Sequence, residues 1–331
     1  MRLRFQPTSE QRSALQAQLA RLQQPAAAWE ALRCVLPADF MPARVVCTPQ
    51  SVHPDRFVLR LQAWSRTGEE HAYALKVYSD EFARMVWAHS QALAAHYQPS
   101  QNGPCLATAY LPQERMLIFP WVKGELLSEI VDKRKPELLR QAAQIAANLH
   151  RSAVVPERPT TAQMIVEETR ARCERVRRRW PAAGPIVGPL MAALEGAVTL
   201  LEPVEPAPVH GDLGAGQFLW TGERLVLLDL DMFGYTDPAY DAGHFLAQLQ
   251  RRCLLHSQLE ARAAQWLACF RDSYLAAMPE VSPRNVAFYR GLTLVRKIYT
   301  LCRLQTARWP QLVPQLAARA REALQEVASA G

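Results

Sequence analysis

The sequence predicts an α+β protein of two unequal lobes, a small antiparallel β-sheet lobe followed by a large, mainly helical one. Two patterns and one bound carry that expectation. Between Ala43 and Tyr78 the chain reads as short β-like runs separated by turn residues. Beyond Lys123 the apolar spacing becomes helical almost throughout. At 331 residues, 49% apolar and 21% charged, the chain has a globular balance and the length for two domains. The expected division is an N-terminal helical extension over residues 1–40, a sheet-plus-helix lobe over 41–122 and a helical lobe over 123–331.

In order along the chain, Thr8-Ser9-Glu10-Gln11 has the spacing of a capping box, and Leu15, Leu19 and Leu22 follow at helical intervals. Three strands are expected at Arg44–Cys47, Arg56–Trp64 and His71–Tyr78, with Gly68 suited to the turn between the last two. The third strand carries Lys76 among apolar neighbours, where a buried ammonium would be costly without a purpose. The stretch Cys47–Asp55 contains no glycine and reads as a loop. A helix from about Asp80 to His96 offers Glu81 in its first turn. After a Pro/Gly-containing loop, Arg115–Leu126 reads as a buried strand running into a turn at Gly124, and Pro120 within it has no amide hydrogen. Pro136–His150 shows an apolar stripe of Leu138, Ala142, Ile145 and Leu149. The proline-rich Glu202–Pro208 ends the next helical region, and at least three more helices follow over residues 258–330.

Composition narrows the function classes. The net charge of +7 raises nucleic acid as a partner, but the basic run Arg170–Arg179 lacks interleaved aromatics and glycines and alternates with Glu167, Glu168 and Glu174. It reads as a solvated helix face, and nucleic acid is not the expected partner. Seven scattered cysteines without a C-x-x-C pair argue against a disulfide framework or a zinc site. No apolar run is expected to reach the roughly 20 residues of a membrane span. The basic start Met1–Pro7 leads into a polar segment, so no signal peptide is expected and a cytoplasmic location follows.

The chemistry concentrates between His210 and Asp241. His210-Gly211-Asp212-Leu213-Gly214-Ala215-Gly216-Gln217 is too glycine-rich for a helix and reads as a shaped loop. Arg224–Asp231 is an apolar run that ends in two carboxylates, as a buried strand does when it delivers acids to a site. Taken singly, a His-Gly-Asp is a turn and an Asp closing a strand is a cap. Taken together they suggest phosphate handling: Asp212 can orient a hydroxyl and take its proton, while Gln217 and Asp229 can hold a divalent ion.

This pattern, continued by Gly234, Asp237-Pro238 and Asp241, resembles the aminoglycoside phosphotransferase and choline kinase-like family, a small-molecule branch of the protein kinase-like fold. The resemblance implies a bilobal α+β fold that binds ATP or GTP with Mg2+ and phosphorylates a small-molecule hydroxyl acceptor. By the same resemblance Asp212 is the catalytic acid of the loop 210–219. Asp229, at the end of the strand 225–231, binds magnesium, and Gln217 stands where the family usually has Asn. His210 and Asp241 support the loop from below. Ala74-Leu75-Lys76-Val77 looks like the family's phosphate-holding lysine strand, with Glu81 its candidate partner. Phe119, Pro120, Trp121 and Val122 match the hinge that meets the base. Three features depart from the pattern: Gln217, the glycine-free Cys47–Asp55 and the ambiguous Glu81. They motivate an alternative, a catalytically weak pseudokinase that acts by binding nucleotide.

The acceptor is constrained by charge. Residues 281–331 hold eight basic and two acidic side chains, which favours a neutral or anionic alcohol over an aminoglycoside, choline or ethanolamine. Asp241-Ala242-Gly243-His244-Phe245 nevertheless looks like the choline kinase branch.

Overall fold

The structure, a computed structural model, describes residues 7–98, 100–156, 159–305 and 308–329. The expectation of a leaderless start rests largely on residues 1–6, which lie outside the described residues. The chain divides into two compact units, Arg2–Gly124 and Glu125–Gly331.

The first unit opens with helices α1 (Ser9–Leu22) and α2 (Pro25–Leu32). The Thr8 hydroxyl accepts from Gln11 N–H while the Gln11 amide oxygen accepts from Thr8 N–H, so the capping box is closed. A five-stranded antiparallel sheet follows, in the order β1 (Pro42–Val52), β2 (Arg56–Ser65), β3 (Glu70–Tyr78), β6 (Met116–Pro120) and β5 (Ala109–Leu111). Between β3 and β5 lie α3 (Phe82–Ala94) and a two-residue strand, β4 (Gly103–Pro104). Along β2, Phe57, Leu59, Leu61 and Ala63 alternate into the core against Leu15, Leu22 and Leu32 of the N-terminal helices. Each Phe or Leu so buried contributes about 1.5–3 kcal/mol, which ties the N-terminal helices to the sheet. Thr48–Val52, expected to be loop, belongs to strand β1. Its regular pairing is interrupted by a register shift between Pro49 and Ser51, and it turns into β2 through His53–Asp55.

The second unit is mainly helical. A short strand β7 (Glu125–Leu126) precedes α4 (Lys135–His150), α5 (Ala162–Arg179) and α6 (Gly184–Ala197). Four short strands follow: β8 (Ala207–Val209), β9 (Phe218–Trp220), β10 (Leu225–Leu227) and β11 (Gly234–Thr236). The unit closes with α7 (Ala239–Leu255), α8 (Glu260–Ala277), α9 (Pro283–Leu304) and α10 (Trp309–Ser329). β9 pairs antiparallel with both β7 and β10, and β8 with β11. The core between α7 and α8 stacks Phe245 on Phe270 at 3.8 Å and 11°, and Tyr274 continues the stack.

One expectation needs correction. The segment Pro181–Leu200 is long and apolar enough, at mean hydropathy 1.4, to pass the length-and-composition test for a membrane span. Here α6 packs against α5, α9 and α10, with Val187, Leu190 and Leu194 buried.

Candidate active site

The loop after β8 is built on one carboxylate. Asp241, in the first turn of α7 and fully buried, accepts the backbone N–H groups of His210 (2.6 Å) and Gly211 (2.9 Å). His150, at the end of α4, places Nε2 3.1 Å from the same carboxylate and Nδ1 2.9 Å from the Tyr274 hydroxyl. Burial pushes the Asp241 carboxyl up, but the His150 hydrogen bond and charge, the His210 charge and the His210 amide outweigh it and hold it below the usual carboxylate range. An ionised acid buried this way is stable only because every partner is a donor.

His210 extends the clamp. Its Nε2–H donates to the Leu228 carbonyl (2.9 Å), and the Asp212 N–H points at its Nδ1 (3.3 Å). The ring therefore joins the loop to the residue just before Asp229. Gly211 between them has φ 80°, and a Cβ there would lie 2.1 Å from the Met232 carbonyl oxygen. Only glycine fits.

Asp212 projects from this braced turn with its side chain 46% exposed. Its Oδ1 lies 3.1 Å from Nε2 of His244, a buried residue one turn after Asp241 on α7. Burial works to raise the Asp212 carboxyl, but the hydrogen bond and charge of His244, with Lys297 and His210, lower it to about 2. The result is a half-open, ionised carboxylate whose direction is fixed by a buried imidazole.

Gln217 ends the 3-10 turn Ala215–Gln217, and its backbone oxygen accepts from Leu228 N–H (2.7 Å). The β9–β10 register, Phe218 opposite Leu227, puts Gln217 and Asp229 at the same end of this ladder. Asp229 takes a left-handed conformation, φ 65° and ψ 68°, uncommon outside glycine but tolerated by Asp. A carboxylate and an amide oxygen are the hard donors Mg2+ prefers. Among the described residues no group of three or more His, Cys, Asp or Glu side chains is placed to hold a metal.

In the sheet unit, Lys76 sits in β3 opposite Val58 and Leu117, 8% exposed, with its ammonium 5.6 Å from the Tyr78 ring centre. Glu81 is exposed at the N-terminal boundary of α3. Phe119 and Pro120 end β6, and the Trp121 N–H is taken by the Ala72 carbonyl (3.0 Å) while Arg60 lies over the Trp121 ring. With Pro120 lacking a donor and Trp121 engaged, Val122 carries the backbone N–H without a partner among the described residues.

Several residues around Asp212 escaped the sequence reading. His244 was legible in principle, because it follows Asp241 at i+3 on one helix face. Arg172, Arg296 and Lys297 were not, since two helices distant in sequence, α5 and α9, bring them together. The solvated-face reading of Arg170–Arg179 is corrected at Arg172, which donates to Glu168 (2.6 Å), 23% exposed and shared with Arg296 (3.3 Å).

A sheet unit with a buried lysine strand, and a helical unit whose loop and strand end present Asp212 and Asp229, define a phosphotransferase of the protein kinase-like fold. The model of the phosphotransferase enzyme family matches residues 50–283, and the chain belongs to that family. A putative aminoglycoside phosphotransferase from Ralstonia eutropha shares the fold at TM-score 0.64 and 14% identity, over 92% of this chain and 98% of that one. A choline/ethanolamine kinase family protein from Mesorhizobium loti does so at TM-score 0.58 and 16% identity, over 92% and 97%. An amicoumacin kinase in complex with AMP-PNP and Ca2+ is similar at TM-score 0.58 and 14% identity, over 93% and 96%. No curated protein matches the sequence.

Proposed function

We propose that the protein transfers the γ-phosphoryl group of ATP or GTP to a hydroxyl of a small neutral or anionic acceptor. The observation that carries this reading is Asp212: ionised, half open to solvent, and aimed by His244 from a loop braced on Asp241. Such a carboxylate aligns the acceptor hydroxyl and accepts its proton, and because phosphoryl transfer passes through a loose transition state, alignment is most of its task. Lys76 is assigned the nucleotide α and β phosphates, and Val122 N–H with its neighbours Phe119 and Trp121 the base. Asp229 and Gln217 are the magnesium ligands, and bound magnesium would offset the charge on the phosphates. The nucleotide analogue and divalent ion named with the amicoumacin kinase support a nucleotide and a metal. The seven free cysteines support a reducing compartment such as the cytoplasm.

The test is nucleotide-dependent phosphorylation of an acceptor panel by the parent protein and Asp212→Ala. Transfer should fall by about a thousandfold or more in the variant; equal transfer would remove Asp212 from the mechanism. A second reading, a weak pseudokinase that binds nucleotide, is favoured by Gln217 and by the glycine-free β1–β2 turn. It expects nucleotide binding without transfer to any acceptor.

A further inference from the structure

Helices α5 and α7 each pack against α9, and positive charge gathers beside Asp212. Arg296 on α9 reaches the Tyr240 hydroxyl (3.4 Å), and the Tyr240 ring lies 5.9 Å from that of His244, the partner of Asp212. Its other guanidinium nitrogen shares Glu168 with Arg172, so one carboxylate answers two cations. The next residue, Lys297, has no hydrogen bond or ion pair among the described residues, and its charge acts on Asp212 and His244. On α7, Arg251 falls on the face of His244 and Gln248 at i+7 and acts on Lys297.

Polar atoms are left over in the same place. Among the described residues, His244 Nδ1, Arg251 Nε and the hydroxyl of Thr293, one turn before Lys297, are buried without a hydrogen-bond partner. Buried polar groups are normally paired, and cations crowded in a partly buried site repel one another unless an anion joins them. The crowding is visible at Lys297. Burial, with the charges of Arg251, Arg296 and Arg172, lowers its ammonium to about 8 against the opposing pull of Asp212.

We propose that Lys297 and Arg251, backed by Arg296 and Arg172, form an anion subsite beside Asp212 that selects acceptor alcohols carrying a carboxylate or a phosphate. The anion of the acceptor pairs with Lys297, and its hydroxyl reaches Asp212. This inference rests on the kinase reading and narrows its acceptor to one charge class. It sets the protein apart from a kinase for cationic alcohols, whose substrates the same cluster repels.

The test presents MgATP and MgGTP with matched acceptors: D-ribose against D-ribose 5-phosphate, glycerol against D-glycerate, and choline as a cation. The anionic member of at least one pair should show kcat/KM about tenfold or more above its neutral parent, and whether phosphate or carboxylate leads identifies the anion. Lys297→Met should raise KM for that acceptor about tenfold while changing kcat little, and Lys297→Arg should restore KM to within about threefold. Choline or a neutral acceptor used as well as its anionic counterpart would overturn the proposal, as would an unchanged KM in Lys297→Met. Should no acceptor be phosphorylated, the kinase reading fails on its own. Calorimetric titration of D-ribose 5-phosphate and D-glycerate into the intact protein then decides the subsite. Binding weakened about tenfold by Lys297→Met upholds it, and absent or unaltered binding removes it.

Discussion

His244 Nε2 lies 3.1 Å from Asp212 Oδ1, a buried ring holding a half-exposed carboxylate. Burial, joined by the charges of Lys297 and Arg296, lowers the His244 pKa below its usual value against the pull of Asp212. In His244→Phe the strongest counterweight to burial at Asp212 is gone, so its carboxyl should titrate higher than in the parent, where it lies at about 2. In the proposed mechanism the ionised form is the active one, so the acid limb of kcat/KM should move to higher pH. An identical pH profile in parent and variant would mean that the pair does not govern Asp212. The linked stability has a definite sign: a folded pKa depressed from 3.8 to about 2 contributes above pH 3.8 and is lost as pH falls through 2.

Asp241→Asn should lower stability by about 3 kcal/mol, because an amide cannot serve two backbone N–H groups and His150 as an ionised carboxylate does. Urea denaturation reads the difference directly. A loss within about 0.5 kcal/mol would show that the loop keeps its shape without this anchor.

Gly211→Ala should be among the most damaging single-methyl additions in the chain, since the new carbon meets the Met232 carbonyl oxygen at 2.1 Å in a positive-φ residue. A fall of about 3 kcal/mol or more is expected, measured as a drop in Tm. Gly216→Ala, where the added carbon meets nothing within 4 Å, serves as the control and should stay within about 0.5 kcal/mol.

Gln217→Asn withdraws the amide oxygen by one methylene. If the longer side chain is fitted to the ion that Asp229 shares, the variant should need about tenfold more Mg2+ for half-maximal transfer. Titrating turnover with Mg2+ checks this. Higher turnover in the variant would instead mark Gln217 as a weakened ligand and favour the pseudokinase.

The parts of the protein legible in the sequence are those whose information is local. Along β2 the alternation of Phe57, Leu59, Leu61 and Ala63 is a period of two that burial reproduces. The spacing of His210, Asp212, Gln217 and Asp229 lies within one loop and one short hairpin. β1 was cut short because it is an edge strand, where Thr48-Pro49-Gln50 is exposed and a register shift breaks the alternation. Within Pro181–Leu200, helix α6 absorbs Gly188 and Pro189. The basic cluster near Asp212 joins positions 172, 251 and 297, and no periodicity connects residues that meet only through helix packing.

The left-handed backbone at Asp229 limits which residues that position accepts. Glycine, asparagine and aspartate are the types comfortable in it, and of these aspartate alone brings a full negative charge. Asp229→Gly should accordingly keep Tm close to the parent's while transfer disappears, whereas Asp229→Ala should lose both, with about 1 kcal/mol of backbone strain added to the missing ligand. Thermal melts beside turnover measurements separate the two outcomes. Folding is therefore almost blind to what this position does, and one substitution could retire the chemistry while leaving an intact protein behind.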